Sequence, residues 1–287
     1  MALSTFSTPP SQTTDAEFRV WGKAISDALT AVGVAKSGDT GQINWATVTT
    51  PTVYHTAQGY EIRVFSDALQ TSVPVVLKIE FGAGYNSASP CLWITVGTAT
   101  NGAGTFVGAQ TTRRELTGAG ANATSYVTRV TGDTNRVAVW TWTDAWVVTY
   151  AMYFSVERTH DAAGADTNEG FTLLCGFGAV ANVQLVVYLF GSGVVSTETL
   201  LPALLPSVGT GSTGSAVALY PIFPTKGVYL NPLANVLIAF QANVTPGTAI
   251  SFTYYGATKA FIPLTNVATP SGVRGWVAGT CYLVRNE

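Results

Sequence analysis

Trp146-Val-Val-Thr-Tyr-Ala-Met-Tyr-Phe-Ser-Val156 is the stretch that decides the fold. Trp146, Val148, Tyr150, Met152, Phe154 and Val156 fall on alternate positions and are all apolar. Successive side chains of a strand point to opposite faces, so these six line one face, and a wholly apolar face predicts burial. Just upstream, Trp140-Thr-Trp142-Thr-Asp144-Ala-Trp146 reads as the hairpin leading into that strand. Trp140 and Trp142 share a face. They are either core packing or an aromatic platform for a sugar at the hairpin tip.

Working outward, the same period of two recurs along most of the chain. Strands are expected at Tyr60–Phe65, Val75–Phe81, Leu92–Val96, Arg136–Trp142, Trp146–Val156, Phe171–Phe177, Val183–Phe190, Ala216–Phe223, Asn235–Gln241, Ile250–Tyr255 and Ala260–Leu264. They are rich in β-branched and aromatic residues, and Gly, Asn, Asp and Pro clusters separate them. Asp67–Gln70 is read as one short helical turn. The fold class that follows is all-β, mostly antiparallel and β-sandwich-like.

One segment breaks the pattern. Phe18, Trp21, Ile25, Leu29 and Val32 are spaced as a single helical stripe. Thr14 and Glu17 fit a capping box, and Gly33 suits the left-handed residue past a helix end. An N-terminal amphipathic helix is expected. Its stripe either packs in the core of its own chain or sits at an oligomer axis or on a docking partner. The Ser/Thr/Pro-rich residues 1–14 are expected to be an extended arm, frayed or docked on a neighbouring subunit.

The chain has 287 residues, of which 14 are Lys or Arg and 16 are Asp or Glu. That is 10% charged, against about 25% in an average soluble domain. The 47% hydrophobic content excludes intrinsic disorder. A net charge of −2 offers no electrostatic footprint for nucleic acid or anionic lipid. No run of about 20 apolar residues predicts a membrane span. The start, Met-Ala-Leu-Ser-Thr-Phe-Ser-Thr-Pro-Pro, has neither a basic region nor an apolar core, so no signal peptide is expected. Cys91, Cys175 and Cys281 lack metal-ligand spacing and read as small buried hydrophobes, with a disulfide between two of them left open.

Motifs that carry chemistry are sparse. In the Gly/Thr-rich stretch Gly97–Gly108, Gly102, Gly104 and Gly108 match no phosphate-binding fingerprint, and a hairpin or exposed turn is expected. His55 and His160 are the two histidines, and neither has a GxSxG serine or a metal partner in sequence. The densest polar stretch is Glu157-Arg-Thr-His-Asp-Ala-Ala-Gly-Ala-Asp-Thr-Asn-Glu-Gly170. A solvated loop between strands is the leading reading, ahead of a calcium loop or a carboxylate pair. No catalytic, cofactor-binding or metal-binding residue is assigned, no cofactor is expected, and the chain is not expected to be an enzyme.

The block from Phe18 to Gly108 resembles the opening of structural proteins of tailed bacteriophages. The resemblance rests on the helix to Gly33, Asp39-Thr-Gly-Gln-Ile-Asn-Trp45, Tyr60-Glu-Ile-Arg-Val-Phe-Ser-Asp-Ala-Leu-Gln70, Pro74-Val-Val-Leu-Lys-Ile-Glu-Phe-Gly82 and Thr95-Val-Gly-Thr-Ala-Thr-Asn-Gly-Ala-Gly104. Val156-Glu-Arg-Thr-His-Asp161 with Gly164 is similar to a later landmark of the same group. The resemblance covers a little over half the chain. It implies a virion component of the tail tip, baseplate periphery or fibre type, often trimeric, and it names no functional residue. A capsid decoration or vertex protein is the alternative placement, and a tail-borne polysaccharide depolymerase the alternative activity.

The expected organisation is an extended arm over 1–14, a helix-plus-β docking domain over 15–176, and a β-rich C-terminal domain over 177–287. The last is the candidate for receptor contact through loops at Leu205–Ser215, Pro224–Pro232 and Thr269–Gly275. Expected partners are copies of the chain itself as a homotrimer, other virion structural proteins and a host surface glycan. Nucleic acid and membrane insertion are not expected. The expected location is the virion, after synthesis in the host cytoplasm.

Overall fold

A computed structural model of the chain describes residues 2–8, 14–53, 55–83, 90–117, 126–143, 152–161, 165–177, 184–190, 195–197, 201–202, 207–210, 216–223, 236–240, 248–254, 256–263 and 280–285. The described residues are mostly antiparallel strand, with one N-terminal α-helix. Strands β1 to β6 are Ala2–Thr8, Ala35–Lys36, Thr56–Val64, Val76–Ala83, Pro90–Gly97 and Arg114–Thr117. Strands β7 to β12 are Tyr126–Asp133, Arg136–Thr143, Met152–His160, Asp166–Phe177, Gln184–Leu189 and Val195–Thr197. Strands β13 to β19 are Leu201–Pro202, Ser207–Thr210, Ala216–Phe223, Val236–Phe240, Ile250–Tyr254, Ala257–Pro263 and Thr280–Arg285.

The first sheet is a plain meander, β2-β3-β4-β5-β6. The second continues the habit in the order β7-β8-β9-β10-β11-β12, with β1 added beside β7. Its pairing therefore passes residue 176 and runs on to Thr197. The remaining strands make a separate sheet, β13-β15-β16-β19-β18-β17, with β14 against β15.

One apolar core joins the first two sheets and the helix. Leu77, Ile79, Phe81, Leu92, Ile94 and Val96 enter it from the first sheet. Val130, Val137, Val139, Phe154, Val156, Phe171 and Leu173 enter it from the second. Each set alternates along its strands, as the period of two requires. Helix α1, Asp15–Ala31, packs against β1 and β7 of the second sheet and β2 of the first.

The start and stop of α1 follow from local chemistry. The Thr14 hydroxyl accepts from the Glu17 amide at 3.2 Å, and the Glu17 carboxylate accepts from the Thr14 amide at 3.1 Å. Gly33 ends the helix at φ +96°, where a Cβ would be strained. The stripe Phe18, Trp21, Ile25, Leu29 and Val32 is buried in the core of its own chain. Phe18 and Trp21 pack with Trp45 and Phe81 as an aromatic group with centroids 4.9–6.0 Å apart.

Several expectations change here. The N-terminal arm is a strand on the chain's own sheet over Ala2–Thr8. Strand β9 runs on to His160, and β10 begins at Asp166, with an irregularity in their pairing before Phe171. Glu157-Arg-Thr-His160 is thus strand, not solvated loop, and all four side chains are buried. Glu157 is paired with β8 and β10, and Arg158 and His160 with β10, contacts that local polarity does not report. Four residues of the expected Leu205–Ser215 loop form β14. Strands β2, β6, β7, β12, β13 and β19 were not expected from the sequence pattern. Asp67–Gln70 is close to the observed turn, a 3-10 helix over Ala68–Thr71.

Gly22 tests the packing. A Cβ there would lie 1.9 Å from the Trp45 ring. Alanine is favoured over glycine in an exposed helix by about 1 kcal/mol, whereas overpacking a core costs about 1–3 kcal/mol. Gly22→Ala is therefore expected to lower the denaturant-unfolding free energy, and to raise it instead when combined with Trp45→Ala. A stabilised Gly22→Ala single variant would mean that Trp45 does not occupy this site.

Candidate functional site

The polar stretch singled out in the sequence becomes a compact cluster at the end of β9 and β10. His160 stands between two carboxylates. Its Nε2 lies 3.3 Å from Glu157 Oε1, and its Nδ1 lies 3.2 Å from Asp166 Oδ1. The side chains of His160 and Glu157 are each 2% exposed. Asp166 is further held by the Asn135 amide and by Arg136, 3.7 Å away. Asn135 and Arg136 come from the β7–β8 turn, which Asp133 braces by accepting the Asn135 amide.

This setting fixes the proton. Burial works to lower the His160 pKa. Contacts with Asp166 and Glu157, together with the negative charge of Glu157, outweigh it and raise the pKa to about 9. Burial works to raise Asp166, but contact with His160 and the charges of Arg136 and His160 hold it below the ordinary carboxylate value. His160 is thus an imidazolium at neutral pH. A general base near pH 7 must give up its proton there, and His160 does not.

Next to this cluster, Arg158 ties the two sheets. It is fully buried, and its guanidinium binds Asp67 through two bonds of 2.6 and 3.0 Å. It also donates to the Val73 carbonyl at 2.8 Å and reaches Gln70. Asp67, Gln70 and Val73 all lie in the β3–β4 connection, so β9 is bolted to the opposite sheet.

A second buried ionic group sits beneath the helix. Arg63 on β3 donates to Glu61, to the Ser26 carbonyl and hydroxyl, to the Thr30 hydroxyl and to the Val34 carbonyl. Glu61 accepts in addition from Ser26, Lys36 and Trp45. Burial works to raise the Glu61 carboxyl, and the Arg63 charge with these hydrogen bonds holds it below its usual value.

The remaining candidates are placed as follows. Gly97–Gly108 folds as a hairpin, with Thr100 bridged to Phe106. Asp39 pins it by accepting the Gly104 amide at 2.9 Å, and Lys78 donates to the Gly104 carbonyl at 3.0 Å. Gly104 has φ +73° and lies on the Tyr60 ring, so no side chain fits there. His55, with φ +54°, is exposed and far from His160 in the pairing scheme, its Nδ1 2.9 Å from Glu115 Oε1. Glu115 also accepts from the Trp93 indole, whose ring carries the Arg113 guanidinium at 4.4 Å. Trp140 is 1% exposed and has Arg129 over its ring, so it is not an open sugar platform. The side chain of Trp142, residues 144–151, Pro224–Pro232 and Thr269–Gly275 lie outside the described residues.

Cys175 is a buried thiol pushed up to about 12 by burial, which makes it unreactive. Among the described residues, no group of three or more His, Cys, Asp and Glu could hold a metal ion. No helix among them is long and apolar enough to cross a membrane. The buried role of Glu157, Arg158 and His160 was missed in the sequence. The available signal was that they continue, without a turn residue, an apolar strand pattern. No protein-family model matches the chain, and no curated protein or solved structure matches it.

Two outcomes follow. His160 gains its proton affinity on folding, so its contribution is complete below its unfolded pKa near 6.5 and is lost as pH rises through about 9. Wild-type stability is expected to fall by roughly 3 kcal/mol relative to His160→Gln across that window. Parallel pH profiles for the two proteins would refute it. Arg158→Met leaves Asp67 buried without its cation and is expected to cost about 3–5 kcal/mol. Adding Asp67→Leu is expected to restore much of that loss in chemical denaturation.

Proposed function

We propose that this chain is a structural subunit of a tailed-phage virion, a fibre-type component of the tail or baseplate that assembles as a homotrimer and contributes to host attachment. The observation that carries this reading is where the few charges go. The chain has 14 basic and 16 acidic residues, and Glu61, Arg63, Glu157, Arg158 and Arg285 are buried. Interior cross-linking thus draws on a complement that is already small. Free monomers keep soluble through charge, and a neutral surface suits a subunit packed against others. The resemblance of residues 18–108 to phage structural proteins supports the virion as the setting.

The arrangement of ionic groups agrees with a load-bearing rather than a catalytic role. Arg158 joins sheet to sheet, and Arg63 joins sheet to helix. The C-terminal sheet is assigned to host attachment, since function concentrates in loops held by a rigid scaffold.

The test is the mass of the purified chain at low micromolar concentration, followed by cryo-electron microscopy of particles. A species of three copies of the 30.0 kDa chain, or of a whole multiple of three, is expected, at a site on the tail. A stable 30.0 kDa monomer would overturn the trimer, and density on the capsid alone would overturn the tail.

A further inference from the structure

Among the described residues, four strands end the two sheets that share the core: β2 and β6 in the first, β1 and β12 in the second. An open edge carries unpaired N–H and C=O groups and recruits another strand unless it is short, charged, bulged or broken by proline. Strand β2 is two residues long and includes Lys36. Strand β6 is four residues long and includes Arg114 and Glu115. Strand β12 is three residues long. Each of these edges is therefore blunted.

Strand β1 has none of these devices. It is seven residues long, Ala-Leu-Ser-Thr-Phe-Ser-Thr, without charge or proline. Its ladder with β7 runs unbroken from Ala2 opposite Gly132 to Thr8 opposite Tyr126, so no bulge twists it away. Ala2, Leu3, Thr5 and Ser7 are exposed, and Leu3, at 41%, is one of four large exposed hydrophobics among the described residues.

We propose that the outer edge of β1 pairs antiparallel with β1 of a second copy of this chain, about a two-fold axis at Thr5. Two seven-stranded sheets then become one. With the axis at Thr5 every residue of the strand is paired: Ala2 faces Thr8, Leu3 faces Ser7, Ser4 faces Phe6 and Thr5 faces its own copy. Any other centre leaves strand ends unpaired. The facing pairs oppose no like charges, and Thr–Thr pairs stabilise antiparallel ladders. The contact is self-complementary and closes at two copies. It is separate from the three-fold contact proposed above, and on a trimer it joins one trimer to another.

Oxidation of cysteine variants in the full chain tests it, with the wild type alongside to show any background from native thiols. Thr5→Cys is expected to form a covalent dimer on a non-reducing gel. Leu3→Cys alone is not, because its two copies would lie about 13 Å apart along the strands, beyond the roughly 7 Å a disulfide spans. An equimolar mixture of Leu3→Cys and Ser7→Cys is expected to cross-link. Thr5→Lys, an exposed change that protects an edge, is expected to halve the mass of the assembled species while leaving the melting transition in place. Thr5→Cys that folds like wild type and remains uncross-linked overturns the proposal, as does equal cross-linking of Leu3→Cys. A wild-type trimer with no Thr5→Cys dimer removes this contact and leaves the structural reading standing. A chain that is monomeric in every assay removes both.

Discussion

A guanidinium inside the core, that of Arg63, is the constraint on which the N-terminal half depends. It points from β3 into the space beneath α1, where an apolar side chain would be the ordinary occupant. Its donors meet Glu61, two side chains and two carbonyls of the chain around α1. Because a buried charge without partners is costly, the helix can take one position that satisfies it and few others. Glu61 extends the constraint through Trp45 and Lys36, and Trp45 in turn fills the space left by Gly22. Helix, first sheet and the segment carrying Trp45 are thereby held in one register.

Arg158 repeats the device between the sheets. Apolar contact between two sheets is weakly directional, and many slightly shifted packings bury similar area. The paired bonds from Arg158 to Asp67 admit one alignment. His160, Glu157 and Asp166 then fasten the β9–β10 end to the β7–β8 turn through Asn135 and Arg136. These groups lie at three different places on the sandwich and add specificity of arrangement to the stability supplied by the apolar core. Five of the chain's 30 charged residues, Glu61, Arg63, Glu157, Arg158 and Arg285, are taken into the interior.

The same economy sets the character of the edges. Lys36, Arg114 and Glu115 stand where edge strands are short. The long edge at β1 has no such residue. The undefended long edge at β1 suits a subunit that is completed by a neighbour.

The sequence by itself determined most of the secondary structure of the core. The alternation in β3, β4, β5, β8 and β9, the stripe and capping box of α1, and the turn after Asp67 were all legible, because each depends on residues within a few positions of one another. What tertiary structure alone decided was which polar residues are buried. Glu157, Arg158 and His160 read locally as a hydrophilic loop. They are interior because Asp67, about ninety residues earlier, brings an opposite charge to Arg158, and Asp166, itself held by Arg136, brings one to His160. Strand β1 reads locally as a Ser/Thr tail and becomes a strand only because β7 offers an open ladder. β7 itself, Tyr-Val-Thr-Arg-Val-Thr-Gly-Asp, was masked by Arg129, whose charge is accommodated over the Trp140 ring on the neighbouring strand. Periodicity records the environment a chain segment makes for itself. A buried ion pair is an environment that two distant segments make for each other, and no local pattern carries it.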